Sequence, residues 1–127
     1  MPGPIVRFDS SEAAIPDEGD YCAFVHSLEE YVSGRGNATI HAVYEVLDVD
    51  PAWDRVSEYF VLASPNPRAV AISQRRLLSL CRACRLDPAE GDEVDLGQLV
   101  GCRLALRLGH ESFEQRKRLR VLAHRRP

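Results

Sequence analysis

The sequence has no apolar run close to the roughly 18 residues that a membrane-spanning helix needs. Its opening, MPGPIVRFDSSEAA, carries neither the basic nor the apolar region of a secretory signal. Ser-His-Asp, P-loop and HExxH signatures are also missing, so nothing in the residues favours an enzyme. Four cysteines in 127 residues do not make a disulfide framework, and we expect reduced thiols. These absences favour a cytoplasmic protein that has no catalytic function and no membrane partner.

Aromatic residues and lysine are scarce as well. The chain has nine aromatic side chains and one lysine, Lys117, so almost every basic group is an arginine. Residues 1–63 carry three basic and twelve acidic side chains, whereas residues 64–127 carry thirteen basic and seven acidic ones. The second half can therefore supply a local basic patch, in which planar guanidinium groups would contact phosphates or stack on bases. Ordinary solvated surface charge is the alternative interpretation.

Period-two alternation of apolar and polar residues predicts five strands. In ATIHAVYEVLD one side of the strand carries Ile40, Ala42, Tyr44 and Val46, and in CRLALRL the leucines alternate with arginines. SGRGN suits a hairpin tip between the first two strands, and GHESFEQ is predicted as a loop between the last two. The predicted strands cover residues 21–32, 38–48, 55–63, 102–108 and 116–124.

One long helix is predicted between the third and fourth strands. Asn66 followed by Pro67 is a helix start, because the asparagine caps free N–H groups and proline needs none at the first position. At 100° per residue Arg68, Arg75 and Arg82 lie opposite an apolar stripe, and Pro88 predicts an end near residues 86–88. The stripe consists of Val70, Ser73, Leu77, Leu80, Cys81 and Cys84.

The predicted order is three strands, one helix and two strands, which predicts a mainly β, α+β fold. The five-stranded oligonucleotide/oligosaccharide-binding (OB) barrel uses this order, with its helix between strands three and four. We expect an N-terminal arm at residues 1–19, with one short strand at IVRF, and an OB-like domain at residues 20–127. LGQLVG predicts a single helical turn before the fourth strand.

Three segments together resemble a known family. They are YEVLD at 44–48, FVLASPNPRAVAISQRRLLSLCRAC at 60–84 and LGQLVG at 96–101. Their arrangement is similar to that of small phage and prophage proteins, long labelled as of unknown function, that look like OB-fold single-stranded-DNA-binding proteins. The resemblance extends from about residue 20 to residue 123, and the helix segment is its most specific part. It departs from the family at Pro51, in an acidic turn, and at Arg85, where the family closes the helix with glycine.

A basic and aromatic constellation is the candidate binding site. Single-strand binders combine a positive groove with exposed aromatic side chains, and the loop between strands four and five of an OB barrel frames its ligand groove. Tyr44 and Tyr59 could equally belong to the core. The candidate stacking residues are Tyr44, Trp53, Tyr59 and Phe113, and the candidate phosphate contacts are Arg55, Arg103, Arg107, Arg116, Lys117, Arg118 and Arg120.

Two other interpretations of the helix segment are disfavoured. Cys81 and Cys84 lie on the apolar stripe near its C-terminal end, without the second ligand pair that a structural zinc site needs, and therefore predict packed thiols. The helix arginines follow a strand rather than a first helix, which disfavours a helix-turn-helix. A solvated helix face is the simpler interpretation of these arginines.

The sequence therefore predicts weakly sequence-selective binding of single-stranded DNA, accessory to phage or prophage recombination or replication, in the cytoplasm of a bacterial host. No cofactor and no metal are expected. The alternative is an OB-fold interaction module that docks a phage recombinase or replication protein through its helix, with little DNA binding of its own. The residues leave open whether the protein forms a homo-oligomer.

Overall fold

The computed structural model describes residues 2–5 and 14–127. Five antiparallel strands form one sheet in the order β3-β2-β1-β4-β5, accompanied by one α helix, so the α+β prediction is confirmed. Two short 3-10 turns cover Pro51–Trp53 and Leu96–Leu99, the second at the predicted LGQLVG turn. The elements are β1 Gly19–Val32, β2 Ala38–Val46, β3 Arg55–Val61, α1 Pro67–Ala83, β4 Arg103–Phe113 and β5 Arg116–Arg125.

Strand β1 is long because it belongs to two parts of the sheet. Residues 19–24 pair with β4, and residues 23–32 pair with β2. The register shifts between Val25 and Ser27, so that His26 is an extra residue in the strand. Such a bulge bends a strand and reverses which residues point inward beyond it.

The sheet is not closed. Strands β3 and β5 are its two edges, and within the described chain no strand pairing joins them. They nevertheless lie in contact, and α1 packs against both. The predicted barrel closure is therefore not seen, and a gap between two edge strands lies beside the helix.

The core lies between the inward faces of the strands and α1. The side of the second strand that carries Ile40, Ala42, Tyr44 and Val46 is buried. In β4, Leu104, Leu106 and Leu108 are fully buried, as their alternation predicted. From the helix stripe, Ser73, Leu80 and Cys81 are buried, together with Ala83.

Helix α1 begins and ends with recognisable caps. The Asn66 side-chain oxygen accepts hydrogen bonds from the backbone N–H groups of Arg68 and Ala69, at 3.1 and 3.3 Å. At the other end the N–H of Leu86 donates to the carbonyl of Cys81 at 2.9 Å, and the N–H of Arg85 donates to the carbonyl of Arg82 at 3.0 Å. This is a Schellman closure, in which the residue at the Arg85 position is normally glycine. Arg85 adopts the required left-handed conformation, with φ of 65°.

The prediction of a loop at GHESFEQ is wrong. Residues 109–113 continue β4, and only Glu114 and Gln115 form the turn, with φ of 50° and 65°. Two consecutive residues with positive φ are typical of the tightest hairpin turns, which usually carry Asn-Gly or Asp-Gly. Glu-Gln lacks that signature, so the sequence did not indicate the turn.

The segment before β1 packs against β4. Ile15 contacts the core, and the Pro16 carbonyl lies 2.7 Å from Nε2 of His110. The backbone N–H of His110 donates to Glu18 at 3.0 Å. Of the short strand expected at IVRF, residues 6–8 lie outside the described residues, and Ile5 is irregular and exposed. No α helix in the described ranges is long and apolar enough to cross a membrane.

Candidate functional site

The gap between the edge strands forms a cleft of about 400 Å³, which we call the seam cleft. The turn Pro51–Trp53 and strand β3 form one wall, β4 and β5 form the other, and Arg76 of α1 is at the base. Five of the predicted site residues meet here, although more than 50 residues of sequence separate the two walls. The cleft is lined by Ala52, Trp53, Arg55, Val56, Ser57, Glu58, Tyr59, Arg76, Glu111, Arg118, Leu119, Arg120 and Val121.

A partly buried ion pair, Glu58 with Arg76, forms the base of the cleft. Glu58 points inward from β3, and its Oε1 accepts a hydrogen bond from the Arg76 guanidinium at 2.6 Å. The same guanidinium nitrogen donates to the carbonyl of Val121 in β5 at 3.0 Å. Arg76 therefore bridges the two edge strands where no backbone ladder joins them. The helical pattern favours a solvated position for Arg76 as for the other helix arginines, because a pairing with Glu58, 18 residues earlier in the chain, leaves no local signal.

The second carboxylate oxygen of Glu58 anchors a polar network in the core. It accepts a hydrogen bond from the Tyr44 hydroxyl at 2.7 Å and lies 2.6 Å from Nε2 of His124. Nδ1 of His124 faces the Ser79 hydroxyl at 3.4 Å. Burial, followed by the neighbouring Glu58 carboxylate, raises the pKa of Tyr44 well above its usual value. A buried carboxylate with this many partners is strongly fixed in place.

The structure places Tyr44 in the core rather than in the cleft. Its side chain is 0% exposed and its hydroxyl is used by Glu58. A base could stack on this ring only if the core opened, so Tyr44 is corrected from a stacking residue to a structural one.

Tyr59 has the opposite environment and is 55% exposed on the outer face of β3. Its ring stacks on the His41 imidazole, with centroids 4.6 Å apart and planes 7° from parallel. The Tyr31 ring lies edge-on to the Tyr59 ring, with centroids 6.2 Å apart. These three side chains form an aromatic face across β1, β2 and β3, beside the seam cleft. Neither Tyr31 nor His41 is among the site residues predicted from the sequence.

The turn before β3 places two more candidate residues at the mouth of the cleft. Asp50 caps the turn by accepting a hydrogen bond from the Ala52 N–H at 2.9 Å. The Trp53 ring is half-buried and packs against the edge of the core. Arg55 pairs with Glu45 on the neighbouring strand, at 3.3 Å, and about half of its side chain remains exposed.

The β5 wall supplies most of the positive charge. Arg118 pairs with Glu111 across the β4–β5 ladder, and its guanidinium lies over the Phe113 ring, 4.3 Å from the centroid. Arg120 is exposed and also lines the cleft. The cleft thus contains four arginines and two glutamates among its lining residues, a net positive charge.

The remaining basic candidates lie in two other places. Arg116 and Lys117 are exposed at the start of β5 and continue the basic surface of Arg118 toward the hairpin turn. Arg103 lies at the opposite end of β4, with its guanidinium 3.9 Å from the Cys22 sulfur. Arg107 pairs with Asp20 of β1 at 3.6 Å. The structure therefore places Arg116 and Lys117 beside Arg118 but outside the cleft lining, and Arg103 and Arg107 also lie outside it.

The cysteines are free thiols, and burial raises the pKa of two of them. Cys81 is buried, and Cys22, Cys84 and Cys102 are half-buried. Burial raises the pKa of Cys81, and burial together with the neighbouring Cys102 raises that of Cys84. Raised thiol pKa values disfavour the reactive thiolate. Among the described residues no cluster of His, Cys, Asp or Glu is arranged to hold a metal ion.

Comparison with known proteins leaves the interpretation of the cleft to its own geometry. The family resemblance noted from YEVLD, the helix segment and LGQLVG stays an expectation from sequence. No protein-family model matches the chain, and the search of curated proteins finds no relative.

Proposed function

We propose that the protein binds single-stranded DNA with weak sequence selectivity, in the seam cleft and on the adjoining aromatic face. One observation carries the proposal: Trp53 and Tyr59 from one edge of the sheet meet Arg118 and Arg120 from the other. Single-strand binding needs both kinds of side chain, because aromatic rings stack on bases and arginines hold the backbone. Following the family resemblance, we assign this binding to phage or prophage DNA recombination or replication.

The proposed architecture is an OB-like barrel open at one seam. The strand order β3-β2-β1-β4-β5 would close into a ring if β3 and β5 paired, and these strands already lie in contact. Helix α1 follows β3 in the chain and packs against both edges. OB folds are five-stranded, partly open barrels that bind oligonucleotides, which supports this interpretation.

In the proposed mode, bases stack on Tyr59 and its neighbours while phosphates follow the β5 wall. The exposed Tyr59 ring is already stacked on the His41 imidazole, which fixes its orientation. Each stacked base contributes about 1–3 kcal/mol regardless of its identity, which accounts for weak selectivity. Arg116, Lys117 and Arg120 extend the basic surface along the strand. Arg118 would exchange its Glu111 partner for a phosphate.

The direct test is a titration of fluorescent oligo-dT and of a duplex of equal length, followed by anisotropy at low and raised salt. Emission of Trp53, the sole tryptophan, reports on the mouth of the cleft. We expect oligo-dT to bind more tightly than duplex, to change Trp53 emission and to weaken steeply with salt. Absence of oligo-dT binding at low salt would refute the proposal. Equal affinity for duplex would reduce it to nonspecific charge attraction.

A further inference from the structure

A second cavity of the described chain lies away from the seam cleft, on the other side of α1. It is a groove of about 790 Å³ between α1 and residues 87–96, which we call the helix groove. Leu77 and Leu78 of α1 form one wall, and Val94 and Leu96 form the other. Leu62, just after β3, lies at its end. The groove is thus apolar along its length.

Two of these apolar side chains are not used by the core. Leu77, Leu96 and Leu62 pack against the buried cluster and line the groove with their remaining surface. Leu78 and Val94 are half-buried and line the groove without belonging to that packing. Both side chains therefore place apolar surface in the groove.

The rim of the groove is acidic. Asp87, Glu90 and Asp92 line it, and residues 87–95 contain five carboxylates and no basic side chain. Arg82, the basic residue of the lining, is paired with Asp87 at 3.1 Å. The groove thus combines an apolar floor with a negative rim.

We propose that the helix groove holds a segment of a partner protein that presents apolar side chains flanked by lysine or arginine. Apolar anchors would cover Leu78 and Val94, and the flanking positive charges would face Glu90 and the neighbouring carboxylates. Such complementarity directs association and selects the partner, whereas the apolar anchors supply most of the affinity. The site is independent of DNA binding, because carboxylates around an apolar groove repel a phosphate backbone.

The test uses two fluorescein-labelled peptides of about 12 residues, long enough for an amphipathic segment. One is built from leucine and lysine, and the other has every lysine replaced by glutamate. We expect the leucine–lysine peptide to bind the full-length protein in anisotropy titrations and to shift the backbone amide resonances of Leu78 and Val94. The leucine–glutamate peptide should not bind.

Single-residue variants test whether the leucine–lysine peptide binds in the helix groove. Leu78→Gln and Glu90→Lys should each weaken the leucine–lysine peptide by about tenfold or more, through lost apolar contact and reversed rim charge. Glu30→Lys makes the same charge change at an exposed position of β1 and should leave the affinity unchanged. Because Leu78 is half-buried and lies outside the buried core cluster, Leu78→Gln should lower the melting temperature only slightly.

Three results would overturn the proposal. The first is no binding of the leucine–lysine peptide. The second is an equal loss in Glu30→Lys and Glu90→Lys, which would mean diffuse charge attraction. The third is self-association in sedimentation equilibrium that Leu78→Gln abolishes, because the occupant would then be a second copy of this chain.

Discussion

Helix α1 separates two surfaces of opposite character. Arg76 faces the seam cleft and Leu78 faces the helix groove, and two residues at 100° each place them about 160° apart around the helix. The cleft is polar at its base, aromatic on one wall and net positive, whereas the groove is apolar with an acidic rim. The acidic residues 87–95 belong to the half of the sequence that is basic on average. The charge around each surface of the folded chain, rather than the net charge of either half of the sequence, therefore decides which partner that surface fits.

The largest difference between the seam cleft and the helix groove should appear in the free energy of unfolding. Glu58→Ala leaves the partly buried Arg76 guanidinium, the Tyr44 hydroxyl and His124 without their common partner. Removing one member of a buried pair costs about 3–5 kcal/mol, so we expect a loss of that size in urea unfolding. Glu90→Ala on the groove rim should change the free energy of unfolding by less than about 0.5 kcal/mol. Similar losses in both variants would contradict the structural role assigned to the Glu58 network.

Removal of the exposed aromatic ring should affect binding rather than folding. Tyr59→Ala should weaken oligo-dT by about 1–3 kcal/mol, the contribution of one stacked base. Leu78→Ala removes a half-buried apolar side chain from the groove and should leave oligo-dT affinity unchanged. Anisotropy titrations of both variants measure the difference, and an unchanged affinity in Tyr59→Ala would remove the aromatic face from the site.

Alkaline pH should lower the free energy of unfolding in two stages. The pKa of Tyr44 is raised in the folded protein, so above its ordinary value of 10.0 the unfolded chain binds fewer protons than the native one. The free energy of unfolding then falls with pH, by up to about 1.4 kcal/mol per pH unit for one group. Cys81 and Cys84 also have raised pKa values and should begin a separate loss near their ordinary value of 9.0.

Tyr44→Phe isolates the tyrosine contribution. Urea unfolding at several pH values should show a shallower slope above about pH 10 in this variant, with the earlier thiol contribution retained. An unchanged slope above pH 10 would mean that Tyr44 titrates normally in the folded protein.

The smallest expected effect lies at the C-terminal end of α1, the helix that both surfaces share. Arg85 holds a left-handed conformation that glycine adopts without strain, so Arg85→Gly should stabilise the protein by about 1 kcal/mol. Thermal unfolding measures the gain, and neither oligo-dT nor peptide affinity should change. A lower melting temperature would mean that the Arg85 side chain contributes more than its backbone strain costs.

Local signals were sufficient to predict most of the fold. The Asn66–Pro67 start and the strict alternation around Leu104 and Leu106 are set by neighbouring residues, and both predictions are confirmed. The sequence did not indicate the bulge at His26, which reverses the inward and outward sides of β1. Odd-numbered residues point inward before His26 and outward after it, so the bulge moves Tyr31 to the aromatic face.

The candidate site was only partly predictable for a related reason. Arginines and aromatics could be recognised by type, but which of them meet depends on strand pairing across the whole chain. Arg103 and Arg118 look equivalent in sequence, yet only Arg118 reaches the cleft. The Glu58–His124 contact joins residues 66 positions apart and had no sequence signal at all.

A paired charge reversal tests the central claim most directly. Arg118→Glu with Arg120→Glu alters the cleft, and Arg103→Glu with Arg107→Glu makes the same change of charge outside it. The cleft variant should lose at least about a hundredfold in oligo-dT affinity, with a shallower salt dependence, while the outside variant should lose only a few-fold. Equal losses in the two variants, or a larger loss in the outside variant, would contradict a binding site in the seam cleft.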